Sequence, residues 1–254
     1  MTDLLFISDL HLNPSAVNTA GTGADSSAAH RLFRKFATDI AAGADRLYIL
    51  GDFLEVWWGD DAPDDGYREL ADTLRWLNDE AGTEICLMHG NRDFLIGQQL
   101  AERWHFRLIE EPYSIDINGT DALLMHGDSL CTDDVEYQRF RSMVRDPAWQ
   151  QRIMQMSLEE RFQMAAKMRE DSKQATSNKA EDIMDVNPDE VRRTFIDNDV
   201  DIIIHGHTHR PAIHHYDIEG SDRRRIVLGD WHDSAQYLHI TDATDEIKLS
   251  TIQL

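Results

Sequence analysis

Five short polar clusters carry the side chains that could do chemistry: Asp9-Leu10-His11, Gly51-Asp52, Gly90-Asn91-Arg92-Asp93, His126-Gly127-Asp128 and Gly206-His207-Thr208-His209. Together they offer carboxylates, imidazoles and one amide, a mixed oxygen and nitrogen set suited to Mn, Fe or Zn, with no thiolate in it. A single DxH or GD is more often a turn than a ligand. Five of them, each closing an apolar run, point the other way. Two divalent ions about 3.5–4 Å apart need a shared anionic ligand, and Asp52 is the natural bridge. Asp9, His11 and one GHTH histidine complete one site; Asn91, His126 and the other histidine complete the second. Such a centre activates a hydroxide at neutral pH and takes up charge on phosphoryl oxygens, which is the chemistry of phosphorus–oxygen bond hydrolysis. Arg92 adds a fixed positive charge for the non-bridging oxygens. Its structural alternative is a pairing with Asp93. His89 and His205 precede ligand-bearing turns and are expected in the core or behind the ligands.

These clusters must be held by something regular. Apolar runs at 4–8, 47–50, 85–89, 122–126 and 202–205 end at the five clusters and read as buried strands. The carboxyl ends of such strands face a ligand crevice, so the clusters should converge. Helical periodicity at 29–41 and 67–80 alternates with the early strands, predicting a layered α/β domain with helices covering the sheets. Runs at 225–228, 237–241 and 247–252 lack intervening helices and read as an antiparallel meander or hairpin. Residues 21–29 read as a small-residue loop.

Residues 135–187 break the alternation. Helix-like stretches near 135–146 and 158–185 carry apolar residues at three- and four-residue spacings, with Pro147 and Pro188 near the bends. Six of the nine methionines lie here, flexible side chains suited to adaptable apolar surfaces. The division predicted is a core of residues 1–134 and 188–254 with a helical insert, 135–187. Packing of a helical hairpin on its own small core is the plainer explanation of that insert.

The chain has 254 residues and a formal charge of −22, which argues against a nucleic-acid binder. Residues 139–179 hold nine Lys/Arg against five Asp/Glu, so this segment is +4 and the remainder −26. That reversal suggests an anionic partner, with a solvated helix face as the alternative. No apolar run approaches the roughly 20 residues that span a bilayer. The first residues lack a basic leader, which predicts a cytoplasmic protein, and Cys86 and Cys131 fit a reducing compartment.

The stretches FISDLH (6–11), YILGDFLEVWWGDD (48–61), HGNRDFL (89–95), MHGDSLCTDD (125–134), IMDVN (183–187) and HGHTHRPAIH (205–214) resemble the calcineurin-like metallophosphoesterase superfamily. Within it they are most similar to the UDP-2,3-diacylglucosamine pyrophosphohydrolases of lipid A biosynthesis. The resemblance spans the whole chain and implies a four-layer αββα sandwich. It implies two Mn2+ ions per subunit on Asp9, His11, Asp52, Asn91, His126, His207 and His209. Substrate contacts carry over onto Asn91, Arg92, Asp134, Ser172, Lys179 and His207, and one family asparagine falls on Thr176. The implied reaction converts UDP-2,3-diacylglucosamine to UMP and 2,3-diacylglucosamine 1-phosphate, with Arg92 and Asn91 as the catalytic pair. The insert then becomes a lid that buries acyl chains, and its cations meet headgroup phosphates or the anionic cytoplasmic face of the inner membrane. Many phosphatases of the superfamily carry His where this chain has Arg92. Arginine cannot protonate a leaving alkoxide, because its pKa exceeds about 12. A sugar 1-phosphate departs as a stable anion, so an anhydride suits Arg92 better than an alkyl ester. The alternatives are a related phosphodiesterase or phosphatase acting on nucleotides, and a metal-organised binding scaffold without catalysis.

Overall fold

The computed structural model describes residues 2–14, 25–177, 183, 185–232, 234–241 and 247–254, and side chains within these except those of 25–27, 171 and 173–177. Four parallel strands, β1 (Asp3–Ile7), β2 (Arg46–Leu50), β3 (Glu84–Met88) and β4 (Arg107–Ile109), form one sheet with two antiparallel strands, β10 (Ser234–Thr241) and β11 (Lys248–Gln253). Its order is β11-β10-β1-β2-β3-β4. The second sheet runs β5-β6-β7-β9-β8, with β5 (Tyr113–Ile117), β6 (Thr120–Leu124), β7 (Ile202–His205), β8 (Ala212–Ile218) and β9 (Ser221–Val227).

Alternate residues of a strand point to opposite faces, and here both faces are covered. Leu4, Phe6, Tyr48, Leu50, Cys86 and Met88 face Ala122, Leu124, Ile202 and Ile204 across the space between the sheets. The intervening Leu5, Ile7, Leu47, Ile49, Ile85 and Leu87 meet Phe33 and Phe36 of α1 (Asp25–Phe36), Leu74 and Leu77 of α2 (Arg68–Asp79) and Trp104 of α3 (Gln98–Trp104). On the far side, Leu123 and Ile203 pack on Val191 and Phe195 of α7 (Pro188–Asn198). The layers are therefore αββα. This is why the strand sequences are continuously apolar.

Three expectations change. The final runs do not form one meander: β10 and β11 make a hairpin, but β9 lies in the other sheet, parallel to β7 and antiparallel to β8. Inward-facing Ile226 commits β9 to the inter-sheet core before the chain crosses back. The insert holds three described helices instead of two, α4 (Val135–Val144), α5 (Pro147–Met154) and α6 (Leu158–Ser177). Pro147 opens α5, where its missing N–H costs nothing, and Asp146 caps that helix by accepting from Trp149 N at 2.7 Å. A reciprocal Ser157–Glu160 capping box starts α6. Finally, residues 25–29 are helical, because α1 begins at Asp25; residues 21–24 lie outside the described residues.

Candidate active site

The five clusters do converge, at the carboxyl ends of β1, β2, β3, β6 and β7. Tight backbone turns aim them. Asp9, His11, Asp52, His207 and His209 all have positive φ, between 48° and 66°, a left-handed conformation that non-glycine residues adopt at a cost. Glycine lets the loops close on one another. A Cβ on Gly206 would stand 1.9 Å from Ser8 Oγ and 2.2 Å from Asp9 Oδ2, and one on Gly90 would stand 2.0 Å from Asp52 Oδ1.

The side chains fall into two groups that share Asp52. His11 Nε2 lies 3.5 Å from His209 Nε2 and 3.8 Å from Asp52 Oδ2; His209 Nε2 lies 3.3 Å from Asp9 Oδ1. On the other side, Asn91 Oδ1 is 3.1 Å from both His126 Nε2 and His207 Nδ1, and His126 Nε2 is 3.9 Å from Asp52 Oδ1. The structure thus groups His209 with Asp9 and His11, and His207 with Asn91 and His126. Two subsets, Asp9–His11–His209 and Asp9–Asp52–His126, present ligand atoms all within 4.8 Å of one another.

These residues fit a divalent cation. Asp9 Oδ1 is buried without a well-aligned donor, while Oδ2 accepts from Ser8 Oγ (2.5 Å) and His207 N (2.9 Å). Two imidazole nitrogens facing each other at 3.5 Å with carboxylates around them form a donor set of hard and borderline atoms. Burial alone would raise the Asp9 carboxyl, but His209, His126 and His11 hold it well below the usual carboxylate range. Burial opposes charge on His126, yet Asp52, Asp128 and Asp9 push it up to about 9. His209, against its burial, is raised to about 10 by Asp230 and Asp9. His207 falls to about 4 through burial and the neighbouring His126. The negative field therefore raises His11, His126 and His209 alike, favouring positive charge where a metal ion would supply it.

Asp93 does not pair with Arg92. Its buried carboxylate accepts from Gly90 N (2.7 Å) and Phe53 N (2.8 Å), tying the loops after β3 and β2 together. Arg92 N donates to Asp52 Oδ1 at 2.8 Å, and its Nε is buried with no hydrogen-bond partner among the described residues. His89 and His205 lie behind the site as expected, His89 Nε2 on Ile96 O (2.7 Å) and His205 between Gly206 O and Arg225.

Beside Asn91 and Arg92 opens a cavity of about 370 Å3, walled by Trp58 and Phe94 of the core and by Phe140, Trp149, Met164 and Met168 of the insert. Asp134 and Ser172 line it as well; buried Asp134 caps α4 by accepting from Tyr137 N at 3.0 Å. The Thr176 side chain and all of Lys179 lie outside the described residues.

Much of the insert's positive charge meets the core itself. Arg141 pairs with Glu111 and Asp128, each at 2.9 Å, and Tyr137 donates to Asp128 Oδ2 at 3.0 Å with its ring 5.3 Å from that of His207. Arg145 donates to the carbonyls of His89 (3.0 Å) and Gly90 (3.1 Å), just before Asn91. Arg161, almost fully buried, forks onto Asp61 and reaches Trp58 O. Arg169 reaches Glu55 Oε1 at 2.9 Å. Sequence reasoning assigned no role to Glu55, Asp128, Tyr137, Arg141 or Asp230. Glu55 and Asp128 sit inside motif stretches, and Gly229-Asp230 closes the run 225–228 as Gly51-Asp52 closes 47–50, so for these three a signal existed.

Residues 2–211 match the family of calcineurin-like phosphoesterases. A protein named UDP-2,3-diacylglucosamine hydrolase from Marinobacter nauticus is 47% identical over 92% of this chain and 91% of its own length. Its namesake from Hahella chejuensis is 46% identical over the same shares. The solved structure of an archaeal phosphodiesterase, 12% identical, aligns over 99% of this chain and 100% of its own with a TM-score of 0.48.

Proposed function

The chain belongs to the calcineurin-like phosphoesterase family and, within it, to the UDP-2,3-diacylglucosamine hydrolases, and from that premise we propose that it cleaves the diphosphate of UDP-2,3-diacylglucosamine to UMP and 2,3-diacylglucosamine 1-phosphate, a step of lipid A biosynthesis. It is a hydrolase; the substrate is our reading. One observation carries it: the apolar cavity under the insert opens directly onto Asn91 and Arg92, beside the carboxylate and imidazole groups. A phosphatase of free nucleotides has no use for such a cavity.

Two Mn2+ ions complete the reading. Asp9, His11 and His209 would hold one, Asn91, His126 and His207 the other, with Asp52 shared. Bound there, they supply a water-derived nucleophile and offset phosphoryl charge. The chain's own residues do the rest. Arg92 orients its guanidinium toward the diphosphate oxygens and stabilises charge that grows on them. No general acid is needed, because the sugar 1-phosphate leaves as an anion. Asn91 Oδ1 lies between His126 and His207, which leaves its Nδ2 as the donor to the same oxygens in this reading. Asp134, Ser172, Thr176 and Lys179 bind the headgroup in this reading. Residues 135–187 act as the lid: α4, α5 and α6 cover the acyl chains and exclude water, which strengthens every charge interaction beneath them.

No described helix is long and apolar enough to cross a membrane. Exposed Val135, Met143 and Phe162, with Arg139, Arg152 and Lys167 exposed on the same insert, support peripheral contact with the anionic cytoplasmic face of the inner membrane. Mn2+-dependent release of UMP, followed by mass on acylated and deacylated UDP-glucosamine, tests the assignment. Equal turnover of both substrates favours a nucleotide phosphodiesterase. Metal binding without UMP release leaves only a scaffold.

A further inference from the structure

A histidine that binds metal through one nitrogen is steered by whatever holds the other. His126 Nδ1 rests on the fixed carbonyl of Leu50 at 2.9 Å. His209 Nδ1 lies 3.3 Å from Asp230 Oδ2, and Asp230 is met in turn by exposed His232. His11 differs. Its Nδ1 stands 2.9 Å from Glu55 Oε2, in ion-pair contact off the ideal hydrogen-bond line, and Glu55 Oε1 stands 2.9 Å from Arg169 Nη2 on α6. A single carboxylate, its side chain only 14% exposed, therefore touches a candidate metal ligand with one oxygen and the insert with the other.

The backbone makes this contact stiff on the core side. Glu55 N donates to Leu12 O, and Leu12 N to Phe53 O, both at 3.0 Å, so the turn carrying Glu55 is laced to the turn carrying His11. The Glu55 side chain itself retains rotatable bonds and needs a second anchor to keep Oε2 on the imidazole. Arg169 is that anchor, and it also lines the cavity.

We propose that Glu55 is a positioning residue through which α6 of the insert acts on His11: docking of Arg169 fixes the carboxylate, the carboxylate fixes the imidazole, and the insert thereby tightens the Asp9–His11–His209 site for a divalent cation. This rests on the metal reading above but not on the identity of the substrate.

The experiment is calorimetric titration of Mn2+ into the metal-stripped full chain without substrate, for the unsubstituted protein, Glu55→Gln, Arg169→Met and the double variant. Glu55→Gln weakens binding roughly 10- to 100-fold, the usual consequence of removing a carboxylate behind a metal-bound histidine. Arg169→Met weakens it several-fold in the unsubstituted background and not at all in the Glu55→Gln background. Arg169→Lys, which keeps a cation within reach, restores most of the loss and separates it from a folding defect, as do thermal unfolding midpoints recorded with chelator. An unchanged or tighter dissociation constant for Arg169→Met, or the same loss in both backgrounds, overturns the proposal. Failure to turn over the acylated nucleotide sugar, with the coupling intact, removes only the substrate assignment. Absence of Mn2+ binding by the unsubstituted chain overturns both.

Discussion

The loops at the strand ends and the helical insert reach the same site by different physics. The loops are set by backbone: positive φ at Asp9, His11, Asp52, His207 and His209, glycines with no room for a Cβ, and peptide N–H groups held by Asp93 and Asp9. The insert is set by side chains: Arg141, Arg145, Arg161 and Arg169, each reaching a core loop, and aromatic edges such as Phe162 against Trp58 at 4.7 Å. A packed backbone has one arrangement, whereas side-chain pairs at a boundary can shift and re-form, costing little where they are exposed, as at Arg169, and more where one member is buried, as at Arg141 and Arg161. Errors in the loops should therefore abolish the chemistry. Errors in the insert should grade it.

The sharpest way to break that contrast is Gly206→Ala, whose methyl would stand on Ser8 Oγ and Asp9 Oδ2. Displacing a reacting group by about 1 Å can cost ~10²-fold, so turnover should fall at least that far, and elemental analysis should find less Mn. Retention of both would mean the loops are not backbone-limited. Next comes Arg92→Ala, expected to lower kcat roughly 10²–10³-fold, the scale of removing one charge-stabilising donor, with Mn content unchanged. Parallel loss of metal would give Arg92 a structural role. In the insert, Phe162→Ala removes an edge-to-face pair worth about 0.5–1.5 kcal/mol. The KM for acylated substrate should rise about three- to tenfold while kcat holds. The smallest effect on turnover belongs to Tyr137→Phe, which deletes one hydrogen bond to the buried Asp128 carboxylate, about 1.5–3 kcal/mol of stability. A few-fold fall in kcat measured under saturating Mn2+ is expected; a loss as large as that of Gly206→Ala would show the insert to be as rigid as the loops.

The strands that carry the clusters were legible because both their faces are buried, so each reads as an unbroken apolar run ended by a polar turn. The layered α/β class followed from that alternation, and the αββα detail from the resemblance. Strands β5 and β8 escaped notice because they are edges: Ser114 and Asp116 of β5 face solvent, which breaks the pattern. β4 has only three residues. β9 was visible as a strand, but nothing local tells a strand which of two stacked sheets it joins. In the site, the seven candidate ligands were legible from residue type at strand ends. The choice between His207 and His209 was not, since adjacent turn residues differ only in where the backbone aims them. The +4 charge of residues 139–179 is compatible with a foreign anion or a solvated helix face, yet Arg141, Arg161 and Arg169 meet acidic side chains of the core and Arg145 a pair of backbone carbonyls. Pairings separated by a hundred positions, such as Arg161 with Asp61, leave no local trace.

Left-handed backbone at five candidate ligands also limits which residues those positions accept. Asp, Asn and His tolerate the conformation better than most side chains, β-branched residues hardly at all, and glycine adopts it freely. Saturation mutagenesis scored for folding should therefore return a short list of tolerated residues at His209, with β-branched side chains at the bottom. Glycine relaxes the backbone there but removes the imidazole that meets Asp230 and buried Asp9, so it should lower the melting temperature of the metal-free chain as well as remove a ligand.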